Sequence, residues 1–362
     1  MIRVGGDSTD LTHWDPSAKT LGGASACPYS NFPLTAKTTV AIAALAHTLR
    51  AKLILGINLK AHRTDWAYAE ARALMAAIDP HRPYKYLKAF ELGNEPDLYR
   101  RYESSGGYTQ FVRDFSRWTA VVRRAARDPS VWTAGPSLGR VGFPWISGTH
   151  AGQLAAFVKA SAGPRLVTFH GYPFLASGKC PGDSCPSVHN LLLDGPSHGL
   201  AVGLAQYLAR VPGGRELRDD EMGAVTNKGK PGVSNTFASA LWALDTLFEK
   251  ASAGFGGVNV HTIPGASYEL CSHPQPGRWS VHHRVLRSAD VRAGRPRGLA
   301  SLAGHACARS QRGPQRQGLG DTWRRWQDPS RDHQQGHPCP QRGAAGDRPF
   351  SQGHPHDLSP AG

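Results

Sequence analysis

The first 271 residues alternate between two patterns of apolar and polar positions. Short continuous apolar runs, typical of strands buried on both faces, alternate with longer stretches in which apolar residues recur at helical spacing. The predicted strands cover 2–6, 53–59, 87–92, 131–134, 166–170, 217–224 and 258–261. The predicted helices cover about 36–50, 65–78, 107–126, 150–162, 197–211 and 234–252. This alternation indicates an α/β protein with a parallel sheet and helices outside it.

Seven strands at this spacing suit a (β/α)8 TIM barrel that lacks its first strand better than a doubly wound sheet. We therefore expect an incomplete barrel, in which the first βα unit and the last helix are missing. In the best-defined helix, over 234–252, Phe237, Leu241, Leu244 and Phe248 repeat at helical spacing.

Several motifs are absent from the sequence. No GxGxxG follows a predicted strand and no GxxxxGK[ST] occurs, so we expect no nucleotide cofactor. No CxxC or HExxH occurs, so we expect no metal site. No run of about 18 apolar residues occurs, so we expect no membrane span.

Composition changes abruptly after residue 271. The chain has a formal net charge of +15, and residues 272–362 carry about half of it through 14 Arg and 6 Asp. This segment contains no Lys, Glu, Ile, Met, Asn or Tyr and shows no helical or strand period. It is either a disordered basic tail or a segment translated out of frame. We therefore divide the chain into a partial barrel domain at 1–271 and a low-complexity basic tail at 272–362.

Back-translation favours the out-of-frame origin of the tail. With suitable codons, dropping one base turns residues 326–338 into GKIRVVIINKDT, the pattern of a buried strand followed by a turn. At the same offset, residues 279–293 permit GPYITEYYGLLMFAQ, which has an amphipathic helical pattern. Because two separate stretches become foldable sequence at one offset, we predict a frameshift that begins near 271–279.

Two glutamates stand where predicted strands open into loops, which is where a TIM barrel carries its chemistry. Glu95 follows an apolar strand and precedes Pro96, which disfavours right-handed helical geometry at Glu95. Glu221 lies at the end of another strand, with Asp219 and Asp220 as rivals of similar chemistry. Two carboxylates across a barrel mouth can hydrolyse a glycosidic bond, one protonating the leaving oxygen while the other attacks the anomeric carbon. A lone glutamate more often caps a loop or pairs with an arginine.

At these glutamates the sequence resembles glycoside hydrolase family 79, which contains heparanase and bacterial β-glucuronidases. The resemblance covers about residues 1–270 and rests on the runs IRVGGDSTDLTHWDP, ELGNEPDLY, GKPGVSNTFASALWALDTLFE and GVNVHT. The family belongs to a clan of retaining barrel hydrolases that place the acid/base at the end of the fourth strand and the nucleophile at the end of the seventh. Counting 2–6 as the second strand puts Glu95 on the fourth and Glu221 on the seventh.

The resemblance implies a role for each matching residue. Glu95 would be the general acid/base, Glu221 the nucleophile, and Asn94 a hydrogen-bond partner of the sugar 2-hydroxyl. Asp10 matches a family position that contacts sugar hydroxyls, although an Asp after a turn more often caps it. Tyr172 falls where the clan commonly keeps a tyrosine against the nucleophile; its alternative role is that of an aromatic at the barrel rim.

Positions near the last predicted strand complete the expected site. Gly265 and Tyr268 fall where family members bind the uronic carboxylate. We interpret His261 as a structural barrel residue rather than a ligand. Either Arg218 or a nearby tyrosine would hold Glu221 ionised, and the sequence does not choose between them.

The resemblance leaves three functions from different classes. The first is a retaining exo-β-glucuronidase, or a related family 79 hydrolase, that needs no cofactor and acts on a glucuronide-containing carbohydrate. Within this class the sequence does not choose between exo-cleavage of small glucuronides and endo-cleavage of a glycosaminoglycan. The second is a non-catalytic product of a disrupted gene. It fits because the barrel is open and the family's C-terminal β-sandwich is lost to the tail, so we expect poor solubility and little or no activity. The third is a polyanion binder that uses the Arg-rich tail, with salt-dependent affinity and no specific nucleic-acid partner.

The compartment is assigned for the parent family member only. No signal peptide follows Met1, whereas a parent of this family would be secreted. Cys180 and Cys185 flank a tight turn, and a disulfide between them would fit such a parent.

Overall fold

Eleven strands and six α-helices, besides a helical segment at 156–159 and short 3-10 and π-helical turns, make up the regular structure of the part of the chain that the structure describes. This computed structural model describes residues 1–18, 29, 31–103, 106–139, 156–160, 163–176, 180–206, 215–275 and 278–281. The strands are β1 (Ile2–Val4), β2 (Thr12–Trp14), β3 (Phe32–Leu34), β4 (Leu53–Ile57), β5 (Leu87–Leu92), β6 (Thr133–Leu138), β7 (Leu166–Gly171), β8 (Glu216–Met222), β9 (Gly257–Val260), β10 (Cys271–Gln275) and β11 (Arg278–Val281). The helices are α1 (Ala36–Leu49), α2 (Thr64–Ile78), α3 (Gly107–Ala126), α4 (Val188–Leu191), α5 (Leu200–Ala205) and α6 (Phe237–Ser252).

Seven of these strands form one sheet in the order β1-β4-β5-β6-β7-β8-β9, and every neighbouring pair is parallel. When parallel strands follow each other in sequential order, right-handed crossovers place all the helices on one face of the sheet. The sheet can then curl into a barrel with the helices outside. The expected incomplete TIM barrel is confirmed. The strands β1 and β9 form the two edges, and Asn259 Nδ2 on β9 donates to the Met1 carbonyl oxygen at 3.3 Å. We call this junction the seam.

The largest core lies between the sheet and the helices α2 and α3. It contains fully buried aromatic side chains, among them Trp118, Phe111 and Phe115 of α3. Burying aromatic side chains of this size supplies much of the hydrophobic stabilisation of such a domain. A smaller core joins α6 to the end of β8 through Trp242 and Met222.

The sequence predicts that helix α6 buries the face carrying its repeated large apolar residues. In the structure it buries a different face. Trp242 and Lys250 are both buried on its inner face. Phe237, Leu241 and Phe248 are exposed. The helix therefore has two apolar faces, and only one of them is covered in this structure.

Three predictions from the sequence concern segments that the structure describes only in part. The helix expected over 150–162 lies mostly outside them, and the one expected over 197–211 begins as a π-helical turn at Gly195–Gly199 and continues as α5. Strands β10 and β11 form an antiparallel hairpin across the expected boundary at 271, while 282–362 lies outside the described residues. The domain division and the frameshift therefore stay predictions.

One short loop is closed by a covalent cross-link. Cys180 and Cys185 form a disulfide that closes the short turn between them. None of the helices in the described ranges combines the length and apolar character needed to cross a bilayer.

Candidate active site

Glu95 leaves the end of β5 through an unusual backbone geometry. Its φ and ψ are +49° and +52°, the left-handed region, which costs a non-glycine residue about 1–3 kcal/mol. Pro96 follows at the start of a 3-10 turn, and the Glu95 N–H donates to the Ser137 carbonyl at 3.0 Å. These constraints direct the carboxyl group toward the barrel mouth, where its side chain is 23% exposed.

Glu221 projects from β8 toward Glu95. A carboxylate oxygen of each residue and a ring nitrogen of His170 all lie within 4.8 Å of one another. His170 Nδ1 is 2.8 Å from Glu95 Oε1, and its Nε2 is 3.8 Å from Glu221 Oε2. The imidazole, which is fully buried, thus lies between the two carboxylates.

Arg3 on β1 is the buried cation that holds Glu221. Its Nη1 donates to Glu221 Oε2 at 2.6 Å, and its Nε donates to Glu91 Oε2 at 2.6 Å. Its Nη2 donates to Asn94 Oδ1 at 2.8 Å and to Ser137 Oγ at 3.2 Å. The planar guanidinium therefore joins the ends of β1, β5, β6 and β8 in one hydrogen-bond network.

Tyr172 and His261 contact the other oxygen of Glu221. The Tyr172 hydroxyl donates to Glu221 Oε1 at 2.8 Å, and His261 Nδ1 lies 3.1 Å from the same oxygen. Of the two residues that the sequence suggested beside Glu221, the tyrosine is the one in contact with its carboxylate. Arg218 instead donates to Asn259 on β9, so Arg3 takes the place on Glu221 that the sequence suggested for Arg218. His261, expected to be structural, faces the site.

The charges of this network shift the pKa values of Glu221 and His170 in opposite directions. Burial alone would raise the pKa of Glu221, but His170, His261 and Arg3 hold it well below its usual range. Burial alone would lower the pKa of His170, but Glu221, Glu95 and Asp220 raise it to about 10. Near neutral pH the site therefore holds an ionised Glu221 beside a protonated His170.

The structure separates Glu221 from its two rivals on β8. The side chains of Asp219 and Asp220 are fully buried, whereas that of Glu221 is 11% exposed. Asp219 pairs with Lys250 of α6 on the helix side of the strand. Asp220 lies 3.1 Å from Arg3 Nε, and burial together with Glu91 raises its pKa well above the usual range. Only Glu221 of the three is accessible to a substrate.

Asn94 is fixed at both ends of its amide. Its Oδ1 accepts from Arg3, and its Nδ2 donates to Asp7 Oδ1 at 2.9 Å. Asp10 lies behind it, because the Tyr99 hydroxyl donates to Asp10 Oδ2 at 2.6 Å and accepts from the Asn94 N–H at 3.1 Å. Asp10 is buried, so in this structure the exposed Asp7, not Asp10, is the carboxylate beside Asn94 at the cleft.

The two residues expected to bind a uronic carboxylate differ in position. Tyr268 is buried beside His261, with ring centroids 5.1 Å apart. Gly265 is exposed, and its N–H donates to Glu269 Oε2 at 2.7 Å. The structure thus links Tyr268 to the site through His261 and places a carboxylate of the chain itself on the Gly265 amide.

Glu95, His170 and Glu221 also form a cluster of residue types that can ligate a metal ion. A metal ligand must be a neutral imidazole, yet the neighbouring carboxylates keep His170 protonated. The Arg3 guanidinium, 2.6 Å from Glu221, already neutralises that carboxylate. The donor set therefore fits a proton-sharing network better than a cation.

Sequence reasoning missed the polar residues that lie inside the strands. Arg3, Glu91 and His170 interrupt apolar runs of β1, β5 and β7, and each is at least nine-tenths buried at its side chain. A charged or polar residue between apolar neighbours in a predicted strand is the signal that could have marked them, because a buried charge needs a partner.

Among the comparisons with known proteins, those with solved structures show the fold. No protein-family model matches the chain. A β-glucuronidase of Neurospora crassa is 42% identical over 52 residues, which are 14% of this chain and 9% of that enzyme. A 4-O-α-L-rhamnosyl-β-D-glucuronidase from Fusarium oxysporum, solved with Rha-GlcA, superposes with a TM-score of 0.60 at 20% identity, covering 79% of this chain and 59% of that one. A GH51 arabinofuranosidase from Xanthomonas axonopodis pv. citri superposes with a TM-score of 0.52 at 12% identity, covering 80% and 62%. The chain thus has the barrel fold of these glycoside hydrolases and spans less than two thirds of their length.

Proposed function

We propose that this chain carries the site of a retaining glycoside hydrolase that acts on β-glucuronides. The observation that carries the proposal is the pair of glutamates at the ends of β5 and β8, with carboxylate oxygens within 4.8 Å of each other. Retaining glycosidases hold their two carboxyl groups about 5–5.5 Å apart, whereas inverting enzymes need about 6.5–9.5 Å to admit a water molecule. The short separation supports retention of configuration.

The surroundings of the two glutamates support distinct roles. Glu221 is ionised and held by Arg3 and Tyr172, so it can attack the anomeric carbon and form a glycosyl-enzyme. Glu95, the more exposed of the two, forms a 2.8 Å hydrogen bond with His170 Nδ1, and the proton that this pair shares passes through Glu95 to the leaving glycosidic oxygen. In the second step Glu95 takes a proton from water, the hydroxide attacks the anomeric carbon, and the bond to Glu221 breaks.

Two observations support a preference for β-glucuronides. Both the Neurospora and the Fusarium proteins are named as glucuronidases. The Gly265 amide already binds a carboxylate, that of Glu269, and Tyr268 lies nearby through His261. We propose exo-cleavage of small glucuronides, in which the uronic carboxylate replaces Glu269 on that amide.

The test measures hydrolysis of an aryl β-glucuronide by the full chain. We expect slow turnover, with Glu221→Gln abolishing it and Glu95→Gln lowering it by about 10²–10⁴-fold. A leaving group of low pKa needs no protonation, so a dinitrophenyl glucuronide should restore the first step in Glu95→Gln but not in Glu221→Gln. Proton NMR of the first-formed sugar should show the β anomer.

The matched control is Asp65→Asn, which removes a carboxylate from a surface ion pair with Arg63. It should leave turnover unchanged. An α anomer as first product would refute the retaining mechanism. Complete absence of turnover from a folded chain would support the alternative of a non-catalytic product.

A further inference from the structure

Strand β8 carries one residue more than either of its neighbours. Along the pair with β7, Phe169 lies opposite Asp219, but the next residue of β7, His170, lies opposite Glu221. Along the pair with β9, the register shifts by one residue between Asp219 and Met222. The strand therefore contains a β-bulge, with Asp220 as its extra residue.

The bulge changes which way the side chains of β8 point. In a regular strand Asp219 and Glu221 would share a face and Asp220 would point the opposite way. Here both Asp220 and Glu221 contact Arg3 inside the barrel, at 3.1 and 2.6 Å. Asp219 alone points outward, where it pairs with Lys250 of α6.

Asp219 also contacts the backbone of the bulge. Its Oδ1 accepts from the N–H of Glu221 at 3.3 Å, while its Oδ2 binds Lys250 Nζ. Both side chains are fully buried, and a Cβ atom at Gly171 would overlap with them. A buried carboxylate persists only when it is paired, so the ion pair with Lys250 fixes the position of the Asp219 side chain.

We propose that the Asp219–Lys250 pair is a positioning device that holds the bulge in β8 and thereby aims Glu221 at the substrate. This inference rests on the proposed function. Asp219 supplies the hydrogen bond to the backbone of Glu221, and Lys250 balances the buried charge of Asp219, so it is needed only while residue 219 is a carboxylate. Neither residue touches the substrate.

Two double variants of the full chain separate this role from folding stability. Both Asp219→Asn/Lys250→Met and Asp219→Leu/Lys250→Met remove the buried charges together, so neither leaves an unpaired ion. Only the first keeps an oxygen that can accept from the Glu221 N–H. We expect the Asn/Met variant to keep kcat within about threefold of the wild type. We expect the Leu/Met variant to lose about 100-fold in kcat at similar KM, the cost of misplacing a reacting group by about 1 Å.

The readouts distinguish the failure of this proposal from the failure of the proposed function. Thermal unfolding compares the stability of the two variants, and hydrogen–deuterium exchange of the peptide that covers β8 reports on the bulge without substrate. Faster exchange in the Leu/Met variant alone would support the proposal even if the wild type showed no turnover. Equal exchange in both variants, or an unchanged kcat in the Leu/Met variant, would overturn it.

Discussion

The two regions of the barrel differ in how deeply their strands are buried. We call the strands β4 to β8 the closed side and compare them with the seam between β1 and β9. Strands β4 to β8 are buried at nearly every position, whereas no residue of β1 or β9 is fully buried. The helices follow the same division. Trp118 of α3 is fully buried, but Val40 of α1 is 63% exposed and Phe248 of α6 is 55% exposed. Large exposed apolar residues on both outer helices mark the side where packing is incomplete.

The candidate site draws on both regions. The closed side supplies Glu95 and Glu221, while β1 supplies Arg3 and the segment after β9 supplies His261. The residues that hold Glu221 thus come from the least buried strands. Because this network crosses the seam, the position of Glu221 depends on contact between the edge strands β1 and β9. This holds even though its own strand, β8, is well packed.

The largest expected effect comes from removing the charge that crosses the seam. Arg3→Met leaves Glu91, Asp220 and Glu221 without their shared cation. We expect a loss of about 3–5 kcal/mol in unfolding free energy, because a buried ion loses its partner. We also expect a fall of about 10²–10³-fold in kcat/KM, because an oriented donor is lost. Urea denaturation and aryl glucuronide kinetics measure the two effects.

Two arginine variants control this experiment. Arg3→Lys keeps the charge but not the fork of donors, and it should fall between the wild type and Arg3→Met. Arg63→Met removes an arginine from a surface ion pair and should change stability by less than about 1 kcal/mol. If Arg3→Met behaved like Arg63→Met, the seam would hold without the network.

A pair of aromatic truncations compares the two regions directly. Trp118→Ala empties a fully buried position of α3 and removes the hydrogen bond from Trp118 Nε1 to the Asn58 carbonyl, so we expect a loss of about 3–5 kcal/mol. Phe248→Ala truncates an exposed side chain and should change stability by less than about 0.5 kcal/mol. Equal losses in urea denaturation would mean that the outer face of α6 is covered in solution. Trp118→Phe, which keeps most of the volume, should cost less than Trp118→Ala.

The sequence predicted the order of strands and the two glutamates because both depend on local patterns. Apolar runs mark buried strands, and Glu95 and Glu221 stand at their ends. Arg3 could not be assigned in this way, since it lies 218 residues from Glu221 and only the closure of the barrel brings them together. The bulge in β8 could not be predicted either, because it is defined by how β8 pairs with β7 and β9. Simple alternation of side chains along β8 would place Asp220 on the face opposite to the one it occupies.

The smallest expected effect lies on the seam side, at Asp10 after β1. Burial raises the pKa of Asp10 to about 8, even though the hydrogen bond from Tyr99 acts in the opposite direction. Between pH 5 and 7 the unfolded chain has released the proton that the native state still binds. The native state therefore binds more protons, and its stability falls as pH rises, by at most about 2.7 kcal/mol over these two pH units.

Asp10→Asn tests this assignment, because asparagine resembles the protonated acid, keeps an oxygen to accept from Tyr99, and does not titrate. The variant should lose the Asp10 part of the pH dependence, so its unfolding free energy should exceed that of the wild type by a margin that grows from pH 5 to pH 7. Urea denaturation at several pH values measures that margin. Thr12→Val, which removes a nearby hydroxyl bonded to the Ser8 carbonyl, should leave the slope unchanged. A constant margin would mean that Asp10 is already ionised at pH 5, so that water reaches this carboxylate in solution although it is 3% exposed in the structure.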